Sequence, residues 1–338
     1  MSSERDYGIP AAGSPLYAAT ISVADLGRSL AIYRDTLGLD EVGRRSLGGP
    51  AFAAHWRLPA DASAQLVVLA DRNAPAGRVA LLQFDAPQRH RIRDTDGQSV
   101  FGFVNLNFYV DDIELRTAQL EARGCTAWSR PLVHDMGPAI GQPIEVMLEG
   151  PDGVIINLIQ LRAVNPEARI LRTIAWLQDH GGFNRCGTTA VATSAHNVSD
   201  YERARAFYER VLGMSVRNDT VLHGEAMETF CRFPRGARLR DTYLQGDHIF
   251  GKIALVHPLN FPCTDMARRA VAPHIGYLAQ SFRVAGLDAA LAAARALGCE
   301  VFSAPVELDL PALGAARTAI VRNPGSGALH ELIESRAA

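Results

Sequence analysis

Asp25-Leu-Gly-Arg-Ser-Leu-Ala-Ile-Tyr33-Arg-Asp-Thr-Leu37-Gly38 returns later in the chain as Asp200-Tyr-Glu-Arg-Ala-Arg-Ala-Phe-Tyr208-Glu-Arg-Val-Leu212-Gly213. Each copy reads as a capped helix: an Asp whose carboxylate can accept from the first free N–H groups, apolar residues at helical spacing, and a Gly stop. Other segments recur with the same offset of 174 to 175 residues. Gly77-Arg-Val-Ala-Leu-Leu82 becomes Gly251-Lys-Ile-Ala-Leu-Val256, and Gly124-Cys125 with Ser129-Arg-Pro131 becomes Gly298-Cys299 with Ser303-Ala-Pro305. A period this long exceeds any solenoid unit and indicates a duplicated domain. The halves are expected at 16–162 and 188–335. The linker 163–187 carries Asn165-Pro166, Gly181-Gly182 and a short helix over Ile170–Leu177.

Each half divides again. Further helices are expected from Asp112 to Gly124 and around Leu287, Leu291, Ala294 and Leu297. Strand-like runs precede the helices at Ala18–Val23, Val104–Val110, Ala190–Val198 and Leu278–Val284. More follow them at Gln65–Leu69, Arg78–Phe84, Glu145–Leu148, Val154–Leu161, Lys252–Val256 and Ala328–Ile333. The order is strand, helix, three strands, four times over. One such unit leaves a sheet face bare, so the modules must pair to bury it. The expected class is α+β: four βαβββ modules paired into two domains with curved mixed sheets.

Composition narrows the function. The chain has 338 residues, 48% apolar and 21% charged, with a formal net charge of −2. It has no apolar run near the ~20 residues that span a bilayer, and no basic field of the kind nucleic-acid binders use. The first fifteen residues carry no apolar signal-peptide core, so a cytoplasmic location is expected. The five cysteines (Cys125, Cys186, Cys231, Cys263, Cys299) form no CxxC pair, which argues against a disulfide framework or a thiolate zinc site. Gly48-Gly49-Pro50 and Pro324-Gly-Ser-Gly327 are turns and not phosphate loops, and no GxSxG elbow occurs.

The stretch Asp25 to Leu39, with Gly150-Pro-Asp-Gly153 before Ile155-Ile-Asn-Leu-Ile159, resembles the vicinal oxygen chelate superfamily of glyoxalase I, bleomycin- and fosfomycin-resistance proteins and extradiol dioxygenases. The resemblance covers nearly all of Tyr17 to Glu334. It implies that paired modules curl their sheets into cups, with metal ligands, where metal is used, drawn from the first and last strands of each module. Carried onto this chain, those positions are Ala18 and Ala80, Asn105 and Asn157, Thr193 and Ala254, and Ala279 and Glu331. A catalytic metal needs about three suitable ligands, and one carboxylate among eight positions does not supply them. No cofactor is therefore expected. The alternative is iron or manganese held by His196, His274 and Glu331 as a two-His-one-carboxylate triad, as in an extradiol dioxygenase. Strand alternation opposes it, because His196 points away from the face carrying Thr193, Ala195 and Asn197.

By the same alternation Asn105, Asn107 and Tyr109 share one face of their strand, and Asn157 interrupts an apolar run. These amides either orient a ligand or pin the modules together. In the second half the cup face is expected to carry Thr193, Ala195, Ala254, Val256, Ala279, Ser281 and Glu331. Burial should raise the pKa of Glu331 toward the range useful for proton transfer; the structural alternative is an ion pair with Arg283 or Arg317. His196, His274 and Tyr277 are further candidate substrate contacts, whereas His257 and His330 fall on the opposite faces. His55-Trp56-Arg57-Leu58-Pro59 and Phe230-Cys231-Arg232-Phe233-Pro234 read as apolar strands at a cup edge. The reading is a protein acting on a small apolar or aromatic metabolite: a metal-independent lyase or isomerase with Glu331 as general acid or base. Alternatives are a non-catalytic binding or resistance protein, or the ring-cleaving dioxygenase. Whether modules pair within one chain or across a homodimer stays open.

Overall fold

A computed structural model describes residues 6–72, 74–86 and 89–335. The first module comprises β1 (Leu16–Ser22), α1 (Leu26–Leu30), β2 (Asp40–Gly48), α2 (Gly49–Trp56), β3 (Ser63–Ala70) and β4 (Arg78–Phe84). The second comprises β5 (Val100–Val110), α3 (Ile113–Glu121), β6 (Thr126–Ala127), β7 (Leu132–Val133), β8 (Ile144–Glu149) and β9 (Ile155–Gln160). Helix α4 (Ile170–Asp179) lies in the connector. The third module has β10 (Thr188–Asn197), α5 (Tyr201–Arg210), β11 (Ser215–His223), α6 (Glu225–Cys231), β12 (Arg238–Gln245) and β13 (Lys252–Pro258), and β14 (Thr264–Asp265) follows. The fourth has β15 (Gly276–Arg283), α7 (Leu287–Ala296), β16 (Val301–Leu310), β17 (Gly314–Arg322) and β18 (Leu329–Ser335).

The caps form as expected. Asp25, Asp112 and Asp200 accept from the backbone N–H of Arg28, Leu115 and Arg203. The first helix tightens only as far as Leu30, then widens into a π-type turn over Ala31–Thr36 before Gly38 ends it at φ +73°. The segments ending in His55-Trp56 and Phe230-Cys231 are helices and not strands. Arg57 and Arg232, each in the left-handed region, terminate them.

The pairing of modules departs from the two sequence halves. One sheet of eight strands runs β16-β17-β18-β15-β1-β4-β3-β2, joining modules one and four. The other, of ten strands, runs β11-β12-β13-β10-β5-β9-β8-β6 and joins modules two and three. Segments 16–162 and 188–335 are thus repeats in sequence, but each contributes one module to each sheet. The physical demand is that the open edge of every first strand find a partner. The antiparallel pairs β1–β15 and β5–β10 meet it within one chain. Periodicity cannot say which first strand that partner is.

Two glycines lock the sheets together. Gly77 N–H donates to Leu16 O (2.8 Å) and Gly251 N–H to Val191 O (3.0 Å), while Leu16 and Val191 N–H donate back to Gly251 and Gly77 O (both 2.9 Å). Both glycines have positive φ, and a Cβ would lie 2.4 Å from Val191 O or 2.6 Å from Leu16 O. This crossing explains why the glycines recur.

One face of each sheet packs against α1, α3, α5 and α7 in a shared core that includes Tyr33, Leu120, Phe207, Tyr208 and Leu291. The opposite faces form the cups. Among the described residues no helix is long and apolar enough to cross a membrane.

Candidate functional site

The predicted second-half cup face is split between the two sheets. Ala279, Ser281 and Glu331 lie in the eight-stranded cup, whereas Thr193, Ala195, Ala254 and Val256 lie in the ten-stranded one. There Thr193 joins Asn105, Asn107 and Asn157, so the structure brings together four of the predicted contacts that sequence had placed in different domains.

The eight-stranded cup is nearly filled. Leu47, Trp56, Leu66, Val68, Leu82, Leu308 and Leu310 close around a space of about 40 Å³. Glu331 lines it, with both carboxylate oxygens hydrogen-bonded. His55 Nε2 is 2.9 Å from Oε1, Thr318 Oγ1 donates to Oε1 at 3.1 Å, and Ser281 Oγ donates to Oε2 at 2.6 Å. Ser303 Oγ backs His55 Nδ1 at 3.4 Å. Burial acts to raise the carboxyl pKa, but the His55, Ser281 and Thr318 contacts outweigh it and hold the group below its ordinary value. This is the reverse of the direction that burial alone implies. Neither Arg283 nor Arg317 is the partner: Arg283 donates to Ser335, and Arg317 pairs with Asp288 and Glu334. The sequence reading of the His55 segment as an apolar strand at a cup edge gives its histidine no partner, whereas the structure sets it on Glu331. Its signal was a histidine where the other copy of the pentad, otherwise alike down to the shared arginine and proline, has Phe230.

Three other candidates lie outside both cups. His196 is fully buried in the helix-side core, Nδ1 at 2.7 Å from Tyr208 Oη and Nε2 at 2.7 Å from Ser326 Oγ. Tyr277 Oη is 2.9 Å from Ser194 Oγ on that same side. His274 Nδ1 lies 3.0 Å from Arg269 O in the loop before β15. His196 and Glu331 therefore stand in different sheets, facing different ways, and the triad is not assembled. His330 is on the helix side as expected, with Nε2 at 2.9 Å from Tyr208 Oη.

The ten-stranded cup is roomier and carries more polar groups. Its larger lobe, about 330 Å³, is lined by Asn105, Asn107, Asn157, Glu145, Asp241 and Tyr243, with apolar walls from Met136, Met147, Met227, Phe230 and Phe233. A second lobe of about 150 Å³ shares Met136, Glu145 and Tyr243 as a common wall and continues to Tyr109, Thr193 and Lys252. The connector lines it with Arg169, Ile170, Arg172 and Thr173, so the segment read as a linker is part of the site.

Strand period places these groups. Asp241 and Tyr243 alternate along β12, opposite Val256 and Ala254 of β13. Asn157 Nδ2 donates to Glu145 Oε2 at 2.8 Å, and Asn105 Nδ2 donates to Asn107 Oδ1. The Oδ1 atoms of Asn105, Asn157 and Asp241 are buried without a hydrogen-bond partner. A buried acceptor left so costs ~1–3 kcal/mol, and three on one cavity call for a ligand that brings donors. Burial, with the nearby charges of Glu145 and Asp219, pushes the Asp241 carboxyl up to about 7. Burial beside Arg217 brings the Lys252 ammonium down to about 7. Sequence reasoning missed Asp241, Glu145 and Lys252. Lys252 opens a strand that was recognised, but β12 itself was not.

Where members of the resembled superfamily use a metal, it is held at the first- and last-strand positions, and the residues of this chain at those positions do not fit one. The implied ligand positions hold alanine, threonine and asparagine apart from Glu331, whose oxygens are engaged. Among the described residues no three His, Cys, Asp or Glu side chains converge as a metal site.

The fold has solved counterparts. Glyoxalase I from Zea mays shares 17% identity at a TM-score of 0.58, over 95% of this chain and 92% of that one. A putative dioxygenase from Bacillus subtilis shares 10% identity at a TM-score of 0.55, over 97% and 87%. At this identity the likeness is one of fold. No curated protein sequence matches the chain. The model of the Glyoxalase/Bleomycin resistance protein/Dioxygenase superfamily matches residues 16–158 and 190–308, most of the sequence. With four βαβββ modules building two cups, the chain belongs to that superfamily.

Proposed function

We propose that the cup of the ten-stranded sheet binds a small metabolite bearing hydroxyl or N–H groups. On this reading the protein is a lyase or isomerase that moves a proton through Asp241 without a resident metal. The observation that carries it is the buried Asp241 carboxyl on an open cavity, its Oδ1 without a partner and its pKa brought to about 7. A carboxyl so poised can take a proton from a bound C–H or O–H group and return it to a neighbouring atom near neutral pH. Asn157 holds Glu145 in place, and the free amide oxygens of Asn105 and Asn157 would orient the ligand's donors. The methionine and phenylalanine walls accept an apolar body.

A second reading, sequestration without turnover, draws on those same walls, since Met136, Met147 and Met227 adapt to varied apolar shapes. Incubating hydroxylated aromatic and branched aliphatic carbonyl compounds with the protein in D2O, followed by NMR, separates the two. Enzyme-dependent proton exchange or isomerisation that falls by about 100-fold in Asp241→Asn, and persists in Glu331→Gln, supports catalysis in this cup. Activity that dies with Glu331→Gln and survives Asp241→Asn would return the chemistry to the eight-stranded cup. Saturable binding with no turnover would leave sequestration.

A further inference from the structure

The smaller lobe of the ten-stranded cup gathers four cations from three separate elements. Arg169 and Arg172 come from the connector, Arg217 from β11 and Lys252 from β13, and all four line one cavity of about 150 Å³. Glu145 is the single acidic side chain on that lining, and it already accepts from Asn157. Among the described residues none of the four cations forms an ion pair within 4.0 Å. Lys252 is only 8% exposed; its ammonium donates to Ile249 O and lies 5.4 Å from the centre of the Tyr109 ring. Arg169 donates to Arg217 O, and Gly8 of the N-terminal segment packs against the guanidinium groups of Arg172 and Arg217. The exposed Asp6 is the one acid acting on Arg217.

Converging cations without counter-ions repel one another and pay the desolvation of a buried ammonium. Such an arrangement is relieved by an anion. We propose that this lobe binds the oxyanion of the substrate, a carboxylate or phosphate group, while the body and its hydroxyl or N–H donors occupy the larger lobe beside Asp241. The substrate class is then an organic acid with a small, partly apolar, hydroxylated or aminated body. The inference rests on the cup being the ligand site. The shared wall of Met136, Glu145 and Tyr243 makes the two lobes one continuous space. The displaced ammonium pKa of Lys252 agrees with an unpaired site, and an arriving anion would raise it.

The test is isothermal titration of the whole protein with sodium phosphate, sodium acetate and benzyl alcohol, at an ionic strength fixed with chloride. It is run on wild type, Lys252→Met and Arg217→Gln, with Arg172→Gln as a further variant should either disturb the fold. One or both anions should bind wild type one to one and at least about tenfold more weakly to the variants. Benzyl alcohol, a neutral probe of the larger lobe, should change by less than about twofold. Without anion, Lys252→Met should unfold at a higher temperature than wild type, an outcome that a purely structural lysine would reverse. Preference for acetate identifies a carboxylate and preference for phosphate a phosphate ester. Failure of both anions, or equal binding to all variants, overturns the inference. If benzyl alcohol still binds, the reading of the cup survives; if nothing binds, both fall.

Discussion

Leu66 and Asp241 occupy the same point of their repeats. Leu66 pairs with Leu82 across β3 and β4, and Asp241 with Val256 across β12 and β13. Two residues on, Val68 faces Ala80 where Tyr243 faces Ala254. At these positions the same fold thus carries hydrocarbon in one cup and a carboxyl and a phenol in the other, and the first is nearly filled while the second leaves room for a ligand.

Asp241 should make stability fall with rising pH. The folded state keeps it protonated up to about 7, whereas an aspartate in an unfolded chain ionises near ~4. Between those values the unfolded chain binds fewer protons, so folding free energy is lost as pH rises through the window. Asp241→Asn should recover roughly 2–4 kcal/mol at pH 8 and almost none at pH 4, as read by urea denaturation at both. A variant less stable than wild type at pH 8 would show that the carboxylate is paired in the fold.

His55 and Glu331 should behave as one structural unit. His55→Ala leaves a buried carboxylate without its nitrogen partner and should cost about 3–5 kcal/mol. Glu331→Gln keeps the shape and should cost about 1–3 kcal/mol. Neither should alter ligand affinity in the ten-stranded cup by more than about twofold. Because the folded pKa of Glu331 is held down, its contribution is present above the ordinary carboxylate range and is lost as pH falls through the folded value. An abolished ligand response in Glu331→Gln would contradict this division of labour.

The histidines on the helix side set the acid limit. Burial holds His196 well below its ordinary pKa and His330 down to about 3. In both the unfolded chain binds protons that the folded one refuses, so stability is full above about 6.5 and declines as pH drops below it. Tyr208 Oη bridges His196, His330 and Gln280. Tyr208→Phe should cost about 1–3 kcal/mol at pH 8. Thermal scans from pH 8 to 4 of Asp241→Asn, in which that opposing carboxyl is removed, would refute the assignment by showing no acid loss.

Much of the fold was legible because it rests on local rules. Asp25, Asp112 and Asp200 announced their helices, and alternation in β5 placed Asn105, Asn107 and Tyr109 on one face. What stayed hidden was long-range. Whether β1 pairs with β5 or β15 depends on how connectors route the chain, and the wrong choice put Thr193 and Glu331 in one cup. Alternation did warn against His196. It could not reveal that Glu331 meets His55, 276 residues away in sequence, or that β12 brings Asp241 beneath the amides of β5 and β9.

Gly77 and Gly251 carry the crossing between the sheets. Gly77→Ala or Gly251→Ala forces a Cβ onto a carbonyl oxygen from a positive-φ backbone. Either should cost about 2–4 kcal/mol, with the double variant failing to fold at 37 °C. Gly49→Ala, where a Cβ meets nothing within 4 Å, shares the positive φ and isolates that contribution. Equal losses at Gly49 and Gly77 would remove the packing argument.

The most direct measurement is a crystal structure of the protein with a ligand recovered by turnover or affinity screening. The molecule should lie in the ten-stranded cup, a hydroxyl or N–H group donating to Asp241 or Asn157 and its acidic group near Lys252. A ligand seated against Glu331 in the eight-stranded cup, or a metal ion holding it there, would contradict the account.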